Sequence, residues 1–133
     1  MATLKISDLS VGDWVRYSGR DYQVKSIHGD FERVTLIGNK EQREESIYAI
    51  HPIPITAEIL LKNGWENLRS GYKCSCGVYD IHIWIKEASV IVTIYELERI
   101  LKAARMQVYS LDMSVHQLQH ILRLAGVDKE INL

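Results

Sequence analysis

The fold of this chain is indicated early, by the stretch WVRYSGRDYQV at residues 14–24. Aromatic and β-branched residues alternate with polar ones on both sides of a tight reversal at Ser18-Gly19-Arg20-Asp21. Further short runs of strand-forming residues follow at 31–37 and 47–50, separated by turn residues about every 8–12 positions. This series of short strands and turns predicts an SH3-like β-barrel over residues 1–55.

The polar segment at residues 38–46 interrupts this pattern and is interpreted as a charge-rich loop. After it, Pro52 and Pro54 push the residues before them away from the helical region, so the chain must be extended there. We therefore place the boundary between two regions at this point, with the barrel at residues 1–55 and an α+β region at residues 56–133.

The second region begins with signals for a helix and then for strands. Thr56 is a typical N-cap residue and Gly64 a typical helix end, which predicts a short helix over 57–63. Apolar and polar residues then alternate over 79–86, and β-branched residues dominate 89–95. These two segments are interpreted as a hairpin.

The last helix has the clearest signals in the chain. Ser114 and Gln117 form a capping box, and Gly126 closes a helix whose apolar residues share one face. Before it, residues 96–106 fit a short helix that is followed by a strand, and residues 130–133 fit an edge strand. The fold class predicted for the whole chain is α+β, an SH3-like barrel followed by a small antiparallel sheet packed by the C-terminal helix.

Composition narrows the classes of function. The 133 residues include 16 basic and 17 acidic ones, for a net charge of -1. A dedicated nucleic-acid-binding protein usually has a basic excess, because neutralising phosphates supplies much of its affinity. There is no apolar run of roughly 20 residues for a membrane span and no signal-peptide pattern, so we expect no membrane association and a cytoplasmic setting.

Two pairs of residues are candidate metal ligands. Cys74 and Cys76 are separated by one residue, and His116 and His120 lie one helical turn apart. Structural zinc normally requires two pairs of ligands, and the metalloprotease motif requires a glutamate where this chain has Gln117. We therefore expect two small thiols in a reducing compartment, a polar helix face that carries both histidines, no metal and no cofactor.

The aromatic and arginine residues are the best candidates for a binding surface, because such residues anchor most interfaces. One group lies around the first reversal, and a second lies on the polar face of the strand at 79–86. The candidate binding residues are Trp14, Arg16, Tyr17, Arg20, Tyr22, His82 and Trp84. The alternative for Trp14 and Tyr22 is that they are core residues of a small barrel.

Two stretches carry recognisable motifs. Residues 50–65 resemble I-x-P-I-P-L-T-x-E-I-L-x-K-N-G-F, with Trp65 in place of the usual Phe. Residues 115–124 resemble V-H-x-L-Q-H-x-L-R-L. Both motifs resemble those of small uncharacterised proteins encoded by phages and mobile elements of Bacteroidetes. The resemblance implies a bacterial, cytoplasmic setting and adds no catalytic residue.

The leading functional hypothesis is a non-catalytic protein-interaction or adaptor module with an unidentified protein partner. A second hypothesis is a nucleic-acid-binding accessory protein that uses Arg16, Arg20 and Lys25 with the nearby aromatic residues. A third is an enzyme whose site is assembled from distant residues that the sequence does not connect. Exposed Trp or Ile side chains would also suit a homodimer.

Overall fold

The computed structural model describes residues 4–87, 89–98 and 101–133. The protein is α+β, as predicted, and its strands form two five-stranded antiparallel sheets. The chain divides into two compact units, Met1–Ile53 with Leu133 and Pro54–Asn132. Each unit contains one of the sheets.

The first sheet is a curled half-barrel in the order β4-β3-β2-β1-β5. A turn at Ser18 and Gly19, both with positive φ, joins β1 to β2 so that Tyr17 lies opposite Arg20. Its buried side chains alternate along the strands, as the sequence pattern predicted. The strands are β1 (Trp14–Tyr17), β2 (Arg20–His28), β3 (Arg33–Gly38), β4 (Glu41–Ser46) and β5 (Ile50–His51).

The charged segment after β3 differs from the prediction. Only its first residues form a turn, and the predicted loop is wrong from Glu41 onward because β4 pairs with β3 along its whole length. Residues 47–49 form a 3-10 helix, so the predicted strand begins only at Ile50. Charged side chains on an edge strand discourage pairing with other chains, which explains a strand with a loop-like composition.

The second sheet has the order β10-β9-β8-β7-β6, with each strand antiparallel to its neighbours. Its inner face is apolar: Ile81 and Ile83 of β8 and Val92 and Ile94 of β9 are completely buried. The predicted hairpin of β8 and β9 is confirmed. The strands are β6 (Glu66–Leu68), β7 (Gly71–Cys76), β8 (Tyr79–Lys86), β9 (Ser89–Glu98) and β10 (Leu101–Leu111).

The helix predicted over residues 96–106 is wrong. β9 continues to Glu98, and β10 returns antiparallel to it from Leu101. Residues 99 and 100 lie outside the described residues. A few apolar residues at helical spacing favour a helix only weakly. The backbone pairing that residues 101–106 form with β9 outweighs this preference, so they form a strand.

Two helices complete the second unit, α1 (Ala57–Lys62) and α2 (Val115–Leu124). The Thr56 hydroxyl accepts a hydrogen bond from the amide of Ile59, as expected of an N-cap. Gly64 has a φ of +84°, and the amide of Trp65 donates to the carbonyl of Leu60 over 3.0 Å. The predicted caps of the short helix are therefore confirmed.

The caps of α2 are confirmed in the same way. The Gln117 side chain accepts a hydrogen bond from the Ser114 amide over 2.9 Å. At the other end, the amide of Val127 donates to the carbonyl of Leu122 over 2.8 Å, and Gly126 has a φ of +81°.

The residues after α2 are held by two amide side chains. Gln119 donates to the carbonyl of Lys129 and accepts from the amide of Ile131, over 2.9 and 2.8 Å. Asn63 forms two similar bonds to the backbone of Asn132, over 2.8 and 2.7 Å. The predicted edge strand at the C-terminus is wrong, because these side chains pair with the backbone in place of a neighbouring strand.

This arrangement corrects one expectation about α2. His116 was expected on a polar helix face, yet it is buried, and so is Gln119 on the same helix. The Nδ1 atom of His116 lies 2.8 Å from the hydroxyl of Ser114, and Gln119 donates one hydrogen bond to the C-terminal segment and accepts one from it. Buried polar side chains are tolerated because each has a hydrogen-bond partner.

We predict that Gln119→Leu destabilises the second unit by about 2–4 kcal/mol. The substitution keeps the side-chain volume nearly unchanged but leaves one backbone donor and one acceptor without partners. Urea unfolding monitored by circular dichroism measures the change. Gln42→Leu is the matched control, because Gln42 is exposed and its side-chain oxygen accepts a hydrogen bond from the Lys25 side chain rather than from the backbone. Equal losses in the two variants would contradict the prediction.

Candidate functional site

The first sheet divides the predicted binding residues between its two faces. Tyr17 lies beside the apolar core, on the side of β1 that carries Val15, whereas Trp14 and Arg16 alternate to the opposite side. Arg16 pairs there with Asp21 over 3.1 Å. The five residues around the first reversal therefore form two surfaces.

Tyr17 and Tyr22 contact charged residues of β4 that the sequence analysis did not connect with them. The two rings meet edge to face with centroids 6.2 Å apart, and the guanidinium of Arg43 lies 5.2 Å from the centroid of Tyr17. The Tyr22 hydroxyl donates to the Glu41 carboxylate over 3.1 Å. Arg43 also pairs with Glu41, and with Glu45 over 3.0 Å. We call Tyr17, Arg20, Tyr22, Glu41 and Arg43 the tyrosine–arginine cluster.

The contacts in this cluster shift three pKa values. Burial, together with the hydrogen bond to Glu41 and its negative charge, raises the pKa of Tyr22. Hydrogen bonds donated by Arg43 and Tyr22 lower the pKa of Glu41. The bonds to Glu41 and Glu45 in turn raise the pKa of Arg43. Each shift favours the charge state that the network already uses, so the cluster stabilises the fold.

A polar pocket of about 250 Å³ lies within the tyrosine–arginine cluster, with Ser18 at its rim. Tyr22, Glu41 and Arg43 satisfy one another there. Arg20 is exposed and forms no hydrogen bond or ion pair with the described part of the chain. In this pocket, the hydrogen bonds to Glu41 lower its pKa most, and the positive charge of Arg20 lowers it further through space, while the other charged groups are bonded to one another.

The outer face of the second sheet carries a different arrangement. Trp84 of β8 lies opposite Ile91 of β9, and Ile91 lies opposite Tyr109 of β10. These three residues form a row across three strands, which we call the Trp84 row. Tyr109 is 62% exposed, while Trp84 and Ile91 are half-buried. The row leaves aromatic and aliphatic surface open to solvent.

The Trp84 row forms the floor of an open groove of about 450 Å³. Its rim carries one positive charge, one negative charge and two hydroxyls, from Lys86, Glu87, Ser70 and Ser89. The Ser89 hydroxyl lies 3.2 Å from the Tyr109 hydroxyl. An apolar floor with a polar rim is the usual composition of a binding surface.

Neighbouring contacts hold Trp84 in place. The ring of His82 lies 5.5 Å from that of Trp84 and 5.2 Å from that of Tyr95, measured between centroids. A Cβ atom added at Gly71 would lie 3.0 Å from Cδ1 of Trp84 and 2.5 Å from the carbonyl oxygen of Ile83. The indole therefore lies close to the backbone of β7, in a space that only glycine leaves open.

The sequence analysis found Trp84 and His82 but missed Ile91 and Tyr109. Ile91 lies in a segment that is β-branched on both faces, so periodicity did not distinguish its exposed side. Tyr109 lies in β10, next to the segment that was assigned to a helix. Glu41 and Arg43 were missed because their strand has the composition of a loop.

The two pairs considered for a metal lie in separate environments. Cys74 is buried, and its burial raises the pKa of the thiol, while Cys76 donates to the carbonyl of Asp128 over 3.3 Å. The rings of His116 and His120 lie 5.8 Å apart, measured between centroids. Among residues 4–87, 89–98 and 101–133, no three His, Cys, Asp or Glu side chains are grouped as a metal site requires.

Comparisons with known proteins add no relative. No protein-family model, no curated protein and no solved structure matches this chain. Within the described residues, neither helix is long and apolar enough to cross a membrane. The surfaces of the protein must therefore be interpreted from their own geometry.

We predict that Gly71→Ala displaces Trp84 and lowers the free energy of unfolding by about 1–3 kcal/mol. The new methyl group would overlap the carbonyl of Ile83 and press on the indole. Tryptophan fluorescence and urea unfolding report the two effects. Gly29→Ala is the control, since its nearest atom would lie at an ordinary 3.8 Å. Unchanged fluorescence and stability for Gly71→Ala would contradict the close approach.

A second prediction concerns alkaline pH. A raised pKa in the folded state contributes stability that is fully present below the unfolded pKa of about 10 and is lost as the pH rises through the folded value. The stability advantage of wild type over Tyr22→Phe should therefore shrink between about pH 9 and pH 12. Urea unfolding across that range measures it.

The same series with Glu41→Gln in both proteins is the control. Without the carboxylate, two of the causes that raise the pKa of Tyr22 are removed. The difference in free energy of unfolding that Tyr22→Phe causes should therefore depend less on pH. A wild-type advantage that is constant with pH would count against this role for Tyr22.

Proposed function

We propose that the protein is a non-catalytic binding module that holds a protein partner on the outer face of its second sheet. The observation that carries the proposal is the Trp84 row, in which Trp84, Ile91 and Tyr109 stand side by side on three adjacent strands. Rigid aromatic side chains next to an aliphatic one are typical anchors of protein interfaces.

The surroundings of the row support a protein rather than a nucleic acid as the partner. The rim contributes Lys86 and Glu87, whose charges cancel. A nucleic-acid platform combines stacking residues with a positive groove, because phosphates must be neutralised. A neutral rim around an apolar floor is better matched to an apolar side chain of a polypeptide, with its backbone hydrogen bonding to the rim hydroxyls.

The first sheet also favours this proposal over nucleic-acid binding. Arg16 pairs with Asp21, and Lys25 bonds to Gln42, so two of the three cations expected to meet phosphate are held by the chain itself. Strand β4, at the edge of the same sheet, adds Glu41, Glu44 and Glu45. These carboxylates would oppose an approaching phosphate backbone.

For the setting, we propose the cytoplasm of a bacterial host, with a phage or mobile element as the source of the gene. The support is the pair of sequence motifs at residues 50–65 and 115–124, together with two cysteines that are both free thiols. A reducing compartment keeps such thiols unpaired.

The proposal is tested with a photo-crosslinking amino acid at Lys86, on the rim of the groove. In host lysate, we expect it to capture one protein that is retained after nuclease treatment and lost with the additional substitution Trp84→Ser. Binding of the purified partner should then weaken by about tenfold or more in Trp84→Ser, since an aromatic anchor contributes roughly 2 kcal/mol.

Two controls make the result specific. The same crosslinker at Tyr48, which is 67% exposed in the other unit, should not capture this protein. Phe31→Ser removes an aromatic ring of the first unit that is 78% exposed, and it should leave the affinity unchanged. The proposal would be rejected if nuclease treatment abolished the capture, or if Trp84→Ser left the affinity for the partner unchanged.

A further inference from the structure

The edge strands of the two sheets differ in how they are protected. In the described part of the chain, β5 has two residues and β6 has three, so both offer little backbone to another strand. β4 is longer but carries the charges of Glu41, Arg43, Glu44 and Glu45. Shortness and charge are the usual means by which sheet edges avoid pairing with other chains.

The second half of β10 is protected by neither shortness nor charge, since the two charged residues of the strand, Lys102 and Arg105, belong to its first half. The strand runs for eleven residues, and its last six, Met106–Leu111, contain no charged side chain. It pairs with β9 on one side and stands at the end of the sheet order on the other. An edge strand that ends in six uncharged residues is a template for a further strand, because no strand of the described sheet pairs with its outer side.

Burial across the sheet points to the same edge. On the inner face, Val92 and Ile94 of β9 are completely buried, whereas their β10 partners Val108 and Met106 are only half-buried. On the outer face, Tyr109 and Leu111 are 62% and 64% exposed. Both faces of β10 would thus lose apolar exposure if another strand were added beside it.

We propose that this strand is β10 of a second copy, so that two chains pair antiparallel and form one continuous sheet of ten strands. When two copies of one strand pair antiparallel about a two-fold axis, each residue lies opposite a residue of the same segment in the other copy. A segment without charged residues therefore brings no like charges together. The same property is absent from β4, whose six residues include Glu41, Arg43, Glu44 and Glu45.

The register follows from the side-chain faces. With the axis at Tyr109, the two Tyr109 rings lie opposite each other, and Gln107 of each copy lies opposite Leu111 of the other. This pairing stays between the irregularity at Ala104/Met106 and the positive φ of Asp112, where the regular strand ends. The Trp84 row then continues from one copy into the next.

This register permits a charge test. Gln107→Lys with Leu111→Lys would place lysine opposite lysine twice across the axis, whereas Gln107→Lys with Leu111→Glu would place lysine opposite glutamate twice. Within one chain, positions 107 and 111 lie opposite the uncharged Thr93 and Ser89. The difference between the two variants therefore reports contacts between copies.

The experiment is light scattering coupled to size-exclusion chromatography over a range of protein concentrations, with a thermal melt of each variant. We expect a dimer for wild type, association that is at least roughly tenfold weaker for the Lys/Lys variant, and recovery of the dimer for the Lys/Glu variant. High salt should reduce the difference between the two variants.

Three results would overturn the dimer: a wild-type monomer at every concentration, equal association of the two variants, or stronger association of the Lys/Lys variant. Unchanged melts at low protein concentration would show that both variants fold. The dimer proposal and the partner-site proposal can be rejected independently of each other. The first is tested with the purified chain alone, whereas the second is tested by the effect of Trp84→Ser on partner binding.

Discussion

The burial of Ile81, Ile83, Val92 and Ile94 is the constraint on which the second unit depends. All four side chains are withdrawn from water, which stabilises the fold by about 1.5–3 kcal/mol for each. Because side chains alternate along a strand, shifting either strand by one residue would expose this set and bury the polar one. The same alternation that buries the isoleucines places Trp84, Ile91 and Tyr109 on the outer face.

The two clusters of aromatic residues differ in how far their groups are satisfied by the chain. In the first sheet, Tyr22, Glu41 and Arg43 bond to one another, and Arg43 lies over Tyr17. In the second sheet, the Trp84 row has polar groups at its rim but its apolar surface faces solvent. Burying exposed apolar surface against a partner contributes favourable free energy of binding, and for this reason the second sheet is the stronger candidate for a binding surface.

The two sequence motifs acquire a structural explanation. Asn63 belongs to the first motif and Gln119 to the second, and both bind the backbone of the segment at residues 129–132. The remaining motif positions include the caps of α1 and the buried face of α2. The two motifs in this chain therefore contribute to closing the second unit, independently of what the outer face binds.

The sequence by itself determined the α+β class, the first hairpin, the pairing of β8 with β9 and the caps of both helices. These features depend on local rules: alternation with period two, glycine at positive φ and side-chain oxygens that accept from nearby amides. Trp84 and His82 were found for the same reason, since their strand alternates without interruption.

Only the tertiary structure decided the rest. It made strands of residues 41–46 and 101–106, where a loop and a helix were predicted, buried His116 and Gln119, and brought Ile91 and Tyr109 beside Trp84. Each of these outcomes depends on a partner that is distant in sequence: a neighbouring strand, or the C-terminal segment over α2. Local patterns show which face of an element is apolar, but the residues that meet across strands are set by long-range pairing.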